Sequence, residues 1–158
     1  MRARICDVRA CEAATALPSI FGGAGMGAQK AAWQVAFSAE AVALTDIDMA
    51  ESLIDLVKAF ETVPHYVLAT AAKAKGYPTV LLRLCLAAYR APRTIGVDGI
   101  YSRETVATRE ITAGSGTATS ELRVLLLEMM CELGDRWSLK LTVKLYVDDL
   151  QPAACPPT

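Results

Sequence analysis

Hydrophobic residues recur along this chain with two different periods, which predict where its helices and strands lie. A helical period of three to four residues predicts four helices, at residues 28–44, 64–75, 79–89 and 119–133. Short apolar runs and alternating patterns predict strands at residues 52–56, 93–97, 101–107 and 139–146. This order of elements predicts an α+β fold in which helices cover one face of an antiparallel sheet.

Glycines mark two sharp breaks in this pattern. Asp98-Gly99 lies between two alternating runs and predicts a β-hairpin, because both residues tolerate the left-handed backbone that a two-residue turn requires. Residues 20–27 contain four glycines. No strand clearly precedes them and no Gly-Lys-Ser/Thr follows, so the nucleotide-binding fingerprints fail, and a flexible loop before a helix is predicted.

The two ends of the chain lack these patterns. Residues 1–20 carry alanine, cysteine and mixed charge without clear periodicity, which predicts a poorly defined N-terminal segment. Residues 151–158 contain three prolines, which lack the N–H that a central strand needs. We therefore expect one folded unit at residues 21–150, followed by a Pro-rich disordered tail.

Composition is typical of a globular protein. Hydrophobic residues make up 53% of its 158 residues. No apolar run reaches the roughly 18 residues that a membrane span needs, and Arg2 and Arg4 precede no apolar signal segment. These features predict an intracellular protein without a membrane partner. Five cysteines with no Cys-x-x-Cys pair predict free thiols rather than a zinc site or a disulfide framework.

Charge is nearly balanced overall but uneven along the chain. The net charge of −1 gives no general attraction to nucleic acid. Residues 71–110, however, carry seven Lys or Arg and three Asp or Glu, a local charge of +4. Two interpretations stay open: a patch that follows a phosphate backbone, or the ordinary solvated surface of a helix and a hairpin.

Three aspartates stand at the ends of predicted strands. Asp55 ends one strand, and the pair Asp148 and Asp149 ends another. Neighbouring carboxylates repel each other, and a divalent cation removes that repulsion. Two such ions about 3.5–4 Å apart clamp the attacking and leaving oxygens of phosphoryl transfer, so the aspartates predict a metal site. The alternatives are a solvated turn for the pair, and a helix N-cap or surface residue for Asp55.

Two motifs that contain these aspartates resemble palm motifs of reverse transcriptases. Asp55-Leu-Val-Lys-Ala-Phe-Glu-Thr-Val-Pro-His65 is similar to the first, Asp-x-x-Lys-Ala-Phe-Asp/Glu-x-Val followed by a helix with His. Tyr146-Val-Asp-Asp149-Leu150 is similar to the third, Tyr-x-Asp-Asp between apolar residues. A glycine-containing loop and a helix lie between them, as in that family. The resemblance covers roughly residues 20–150 and is strongest to non-LTR (LINE-type) retroelements.

The resemblance implies an RNA-directed DNA polymerase built on a polymerase palm. Asp55, Asp148 and Asp149 would be its catalytic carboxylates and would bind two ions of Mg²⁺ or Mn²⁺. Its partners would be an RNA template, a DNA primer and dNTPs. The reaction would be the attack of the primer 3′-OH on an incoming dNTP.

Further residues match substrate-binding positions of the family. Phe60 occupies the position of an aromatic steric gate, which would crowd a ribose 2′-OH; its alternative is a plain core phenylalanine. Gly114 matches the glycine of the second palm motif, and Ala113 precedes it where the family usually has Gln. Tyr146 opens the third motif. His65 also matches, and we interpret it as structural.

The resemblance does not extend over a whole polymerase. The sequence ends eight residues after Leu150 and has no convincing match to the fingers segment upstream, so we expect incomplete fingers and no thumb. Two hypotheses follow. The chain is a reverse transcriptase fragment with little activity alone, or it is a catalytically dead retroelement relic or truncated gene product with no independent function.

Overall fold

The computed structural model describes residues 5–23, 25–45, 48–112, 114–137 and 141–154. The helices in this part of the chain are α1 Ile5–Ala14, α2 Ala28–Thr45, α3 His65–Ala74, α4 Thr79–Tyr89 and α5 Ala118–Trp137. The strands are β1 Ala50–Glu51, β2 Ile54–Asp55, β3 Gly96–Val97, β4 Ile100–Tyr101, β5 Thr142–Tyr146 and β6 Asp149–Ala154. All strand pairs are antiparallel, so the predicted α+β class is confirmed. No helix in these residues is both long enough and apolar enough to cross a bilayer.

The predicted helices are present, with bounds close to those expected. Pro64 immediately precedes α3 and has φ −68°, the value that its ring imposes. The helix ends at Ala74 with Lys75 as its C-cap, and Gly76 follows with φ 71°, a left-handed conformation that favours glycine after a helix. α5 extends beyond the predicted end at residue 133 and continues to Trp137.

The larger sheet is centred on β6. β5 pairs with one edge of β6, from Thr142↔Ala153 to Tyr146↔Asp149, and β1 and β2 pair with the other. β1 and β2 keep one register on β6, from Ala50↔Ala154 to Asp55↔Asp149. They are therefore one extended segment with an interruption.

Pro152 causes that interruption, and it corrects the prediction of a disordered tail. Its carbonyl accepts a hydrogen bond from the Ser52 N–H at 3.1 Å, but it has no N–H to return. The missing donor faces the gap between β1 and β2, so the pairing with β5 is unaffected. Residues 151–154 thus belong to a central strand, because only one ladder bond is lost; residues 155–158 lie outside the described part.

Two hydrophobic cores lie on either side of α5. The first lies among α1, α3, α4 and α5, and its fully buried members include Leu68, Ala72, Cys85 and Ile111. The second joins α5 to the sheet through Ile20, Leu127, Met130 and Leu145. α5 thereby connects the helical layer to the strand that leads into the Tyr-Val-Asp-Asp turn.

The N-terminal segment is part of the fold, which corrects the prediction that residues 1–20 are poorly defined. Val8 and Cys11 on α1 are buried in the first core. Further along, the Leu145 N–H donates to Ser19 O at 2.8 Å, and the Phe21 N–H donates to Leu145 O at 2.7 Å. This segment therefore continues the sheet beyond β5. A helix with only two buried residues gives too weak a period to predict from sequence.

α2 lies on the opposite face of the sheet from α5. Lys144 and Leu145 are neighbours in β5 and point to opposite faces. Leu145 packs on α5, whereas the Lys144 ammonium donates to Gln34 O at 3.3 Å and to the Ser38 hydroxyl at 3.5 Å, both on α2. Helices therefore flank both faces, and the prediction of a single covered face is wrong.

The side of α2 that meets the sheet is made of small residues. Ala31, Val35, Ser38 and Val42 are half-buried there. The large apolar residues that predicted the helix face solvent instead, with Trp33 71%, Phe37 73% and Leu44 88% exposed. Small side chains let a helix approach a sheet closely, so the smaller residues of α2 were the informative ones for its packing.

The predicted Asp-Gly hairpin is confirmed as β3–β4. Asp98 and Gly99 have φ of 51° and 80°, the two positive values of a type I′ turn. Backbone hydrogen bonds of 3.0 and 2.9 Å between Arg93 and Thr105 extend the pairing. An ion pair of 2.6 Å between Arg93 and Glu110 ties the base of the hairpin to the following segment.

Candidate active site

The sheet places the first and last predicted aspartates opposite each other. Asp55 ends β2, Asp149 begins β6, and the two residues are register partners. Directly opposed side chains lie on one face with Cβ atoms about 5 Å apart. Asp148 is in the adjoining turn, where its carbonyl accepts a hydrogen bond from the Leu56 N–H at 3.1 Å. Two motifs that are distant in sequence therefore meet at one edge of the sheet.

The turn that carries Asp148 has a strained backbone. Val147 has φ 58°, and a β-branched residue is a genuine outlier in this left-handed region. The turn is packed against the glycine-rich segment: a Cβ added to Gly22 would lie 3.4 Å from the Val147 nitrogen and 3.6 Å from its Cγ2. Such strain persists only where the surroundings impose it, and it clusters at functional sites.

Three carboxylates lie at this edge of the sheet. Asp55 is exposed, and Asp148 and Asp149 are half-buried. Within the described residues, no Lys or Arg forms an ion pair with any of these three carboxylates. Opposed like charges destabilise a strand pair. The carboxylates thus gain from any cation that binds between them.

The fit of a metal ion is partial. The described residues hold no group of three His, Cys, Asp or Glu placed to coordinate one ion together. The opposed Asp55 and Asp149 do supply two carboxylates on one face. Mg²⁺ is usually held by one or two carboxylates and completed by water and substrate phosphates. The arrangement therefore fits a metal that arrives with a phosphate ligand, rather than a preformed three-carboxylate cage.

A cavity of about 390 Å³ adjoins the acidic edge. Its floor is the polar face of the sheet, with Lys144, Tyr146, Asp149 and Gln151, and its wall is formed by alanines of α2. Tyr146 is the register partner of Asp149, so both side chains lie on that face. The volume is in the range of small-molecule sites, which are about 300–1,000 Å³. The candidate site is thus an open pocket with an acidic end.

The other sequence-predicted residues lie in different surroundings. Phe60 is half-buried against the first core, and its carbonyl accepts a hydrogen bond from the Ile111 N–H at 2.8 Å. Gly114 is exposed with φ 82°, and a Cβ there would meet nothing within 4 Å. Ala113 lies outside the described residues. The substrate roles of Phe60, Gly114 and Tyr146 therefore stay predictions.

Comparison with known proteins identifies a fold but no family. No protein-family model matches the sequence, and no curated protein matches it either. Among solved structures, the chain is similar to apo telomerase from Candida Tropicalis truncated from the C-terminal domain, with a TM-score of 0.61 and 10% sequence identity. The fold is telomerase-like. The match covers 97% of this chain and 33% of that telomerase, so the chain spans about a third of its length. At this identity the likeness shows the fold alone.

A buried polar network near the start of α5 was not predicted from the sequence. Glu121 is fully buried, and the Tyr89 hydroxyl donates to its Oε2 at 2.7 Å. Among the residues that the structure describes, its Oε1 and the buried Tyr77 hydroxyl have no hydrogen-bond partner. Burial raises the pKa of Glu121 above its ordinary value, despite the opposing effect of the Tyr89 hydrogen bond. An acidic residue in a first helical turn is also typical of exposed helices, so no sequence signal separated the two cases.

His65 has the structural role that its sequence context predicted. Arg90 Nε donates to its Nδ1 at 3.3 Å, so Nε2 carries the proton and donates to Glu110 O at 3.0 Å. Burial lowers its pKa, which favours this neutral form. The histidine thus connects α3 to α4 and to the segment after the hairpin, away from the acidic edge.

Proposed function

We propose that this chain is the palm region of an RNA-directed DNA polymerase, a reverse transcriptase of the non-LTR retroelement type. The observation that carries the proposal is the register pairing of Asp55 with Asp149, which joins the two motifs that resemble palm motifs. The telomerase-like fold supports it, since the match covers 97% of the chain. The substrates would be an RNA template, a DNA primer and dNTPs.

The acidic edge would be the reaction centre. Asp55 and Asp149, with Asp148 beside them, would hold Mg²⁺ or Mn²⁺. Bound ions of this kind neutralise phosphate charge and align the attacking and leaving oxygens of an in-line displacement. Tyr146 would border the incoming nucleotide, because it lies beside Asp149 on the cavity floor.

Exposed arginines on α4 and near the β3–β4 hairpin support contact with nucleic acid. In the basic stretch at residues 71–110, Arg93 is paired with Glu110, and Arg90 donates to His65. Arg83 and Arg103 are exposed. Exposed arginines on α4 and on the hairpin side suit contact with a phosphate backbone.

One observation favours the second hypothesis, that of an inactive relic. No three carboxylates among the described residues form a common metal site. In that case the chain would keep the fold and lack turnover.

Primer extension separates the two hypotheses. The assay uses poly-rA/oligo-dT, dTTP and either Mg²⁺ or Mn²⁺, with an Asp148→Ala/Asp149→Ala double variant. Asp98→Ala is the matched control, since Asp98 also sits in a two-residue hairpin turn but has no metal role in the proposal. Extension by the wild type and the control, and its loss in the double variant, would support the polymerase.

A binding measurement covers the case in which the chain alone does not extend a primer. Mn²⁺ binding in the presence of dTTP is followed by electron paramagnetic resonance of the free ion. We expect the wild type and Asp98→Asn to bind, and Asp55→Asn to lose binding. A wild type that neither extends a primer nor binds Mn²⁺ with dTTP would reject the catalytic proposal in favour of the relic.

A further inference from the structure

Lys144 is a buried lysine whose charge is poorly compensated. It lies in the middle of β5 and is 9% exposed. Its ammonium donates to Gln34 O at 3.3 Å and to the Ser38 hydroxyl at 3.5 Å. Both acceptors are uncharged, and both distances exceed the usual 2.7–3.2 Å of an N–H···O bond. Within the described residues, no carboxylate lies within ion-pair distance of it.

The Lys144 ammonium has hydrogen-bonding capacity left for a further ligand. Lysine is almost never fully buried without a partner, because removing an ammonium from water costs several kcal/mol. An ammonium has three donors, so two long bonds to neutral oxygens leave it under-satisfied. The surroundings of Lys144 therefore suit an additional anionic group.

The cavity gives that group a place to bind. Lys144 lines the same 390 Å³ cavity as Tyr146 and Asp149. Lys144 is the register partner of Gln151, and Tyr146 is the register partner of Asp149. The side chains of Lys144 and Asp149 are therefore diagonal neighbours on one face of the sheet. Lys144 therefore contributes to the floor of the cavity beside its acidic end.

We propose that Lys144 binds the phosphates of a nucleoside triphosphate in this cavity, which rests on the proposed polymerase function. A simple anion would be repelled by Asp149. A phosphate chain that carries a divalent cation satisfies both ends, because the cation faces the carboxylates and the phosphate oxygens face the ammonium. The ligand class is therefore a polyphosphate with a bound divalent cation, and Lys144 is its phosphate-binding residue.

A purely structural role for Lys144 predicts a different outcome. If the lysine only tethered α2 through Gln34 and Ser38, its replacement by Met would loosen α2 and leave phosphate affinity unchanged. If it also binds phosphate, Lys144→Met lowers phosphate affinity in addition to losing the two bonds to α2. Phosphate affinity, and not thermal stability, therefore separates the two cases.

The test is calorimetric binding of inorganic tripolyphosphate and of dTTP, each with Mg²⁺, to the full chain. We expect Lys144→Met to weaken both by about 10- to 100-fold, the usual worth of a hydrogen bond to a charged group. Lys144→Arg should keep part of the affinity. Lys73→Met is the matched control, because Lys73 is an exposed lysine on α3, and it should bind as the wild type does. Equal affinity of wild type and Lys144→Met would overturn the inference.

A second measurement uses the wild-type protein and therefore does not require the Lys144→Met variant to fold. Lys144 acetylation by acetic anhydride, quantified by peptide mass spectrometry, should slow when tripolyphosphate and Mg²⁺ are added, while that of Lys73 should not. An unchanged rate at Lys144 would overturn the inference. A wild type that does not extend a primer and whose Mn²⁺ binding with dTTP does not depend on Asp55, but that keeps Lys144-dependent tripolyphosphate binding, would reject the polymerase alone and leave the phosphate site supported.

Discussion

In the described part of the chain, two hairpins are closed by two-residue turns, and one of these two has a sequence suited to its turn. Asp98 and Gly99 adopt φ of 51° and 80°, and both residue types tolerate positive φ. Val147 adopts φ 58° in the β5–β6 turn, although its branched side chain disfavours it. The first turn follows from local preference, and the second is formed against it.

The hairpin with the favourable turn is exposed, whereas the hairpin with the unfavourable turn is packed against the rest of the fold. β3 and β4 are exposed throughout, including Ile100 at 77% and Tyr101 at 73%. The β5–β6 hairpin has five register pairs and carries Leu145, which is 1% exposed, against α5. Tertiary contacts therefore hold the unfavourable turn, and this turn carries the candidate catalytic aspartates.

The largest expected effect comes from removing the buried support of the second hairpin. Leu145→Ala should lower the free energy of unfolding by about 2–5 kcal/mol, since it leaves a cavity beneath α5. Ile100→Ala in the exposed hairpin should change it by about 0.5 kcal/mol or less. Urea denaturation of both variants checks the pair. Similar losses in both would contradict the contrast between the hairpins.

The next effect concerns the segment that presses on the strained turn. Gly22→Val should destabilise the fold by about 1–3 kcal/mol. A Cβ at this position would lie 3.4 Å from the Val147 nitrogen, so the two methyl groups of a valine would collide with the turn. Gly22→Ala reaches only ordinary contact and should be tolerated. Chemical denaturation measures both. A Gly22→Val variant as stable as Gly22→Ala would mean that the turn adapts.

A smaller effect is expected where local preference alone shapes the turn. Gly99→Ala should destabilise the first hairpin by about 1–2 kcal/mol, because an alanine there must adopt φ near 80°. Gly99→Asn should be milder, since Asn tolerates left-handed backbone. Amide hydrogen exchange resolves the effect. Loss of protection confined to β3 and β4 is expected, and equal loss in β5 would argue that the hairpins are coupled.

The smallest effect has the opposite sign. Asp55→Asn should raise the free energy of unfolding by roughly 0.2–1 kcal/mol in low salt without metal, because it removes the negative charge that lies opposite Asp149. The gain should shrink in 1 M NaCl through screening. Added Mg²⁺ with dTTP should stabilise the wild type and not the variant. A variant less stable than wild type in low salt would contradict the repulsion at this edge.

Elements with strong local signals were predictable from the amino-acid sequence. α2, α3 and α4 lie close to their predicted bounds and the Asp-Gly turn lies where it was predicted, because helix periodicity and turn chemistry act between near neighbours. The strands beside that turn are shorter than the predicted 93–97 and 101–107, since β3 and β4 have two residues each. The sequence also placed Asp55 and the pair Asp148 and Asp149 at strand ends. Their metal and catalytic roles are predictions that the proposed experiments test.

Features that depend on distant partners could not be predicted from the sequence. Pro152 fits a central strand because its missing donor faces a gap between β1 and β2, which no local rule reveals. Glu121 and Lys144 are buried although their residue types favour the surface, and their helical or alternating positions are compatible with either placement. Register, burial and the opposition of Asp55 to Asp149 arise from packing between segments far apart in the chain, where local propensity carries no information.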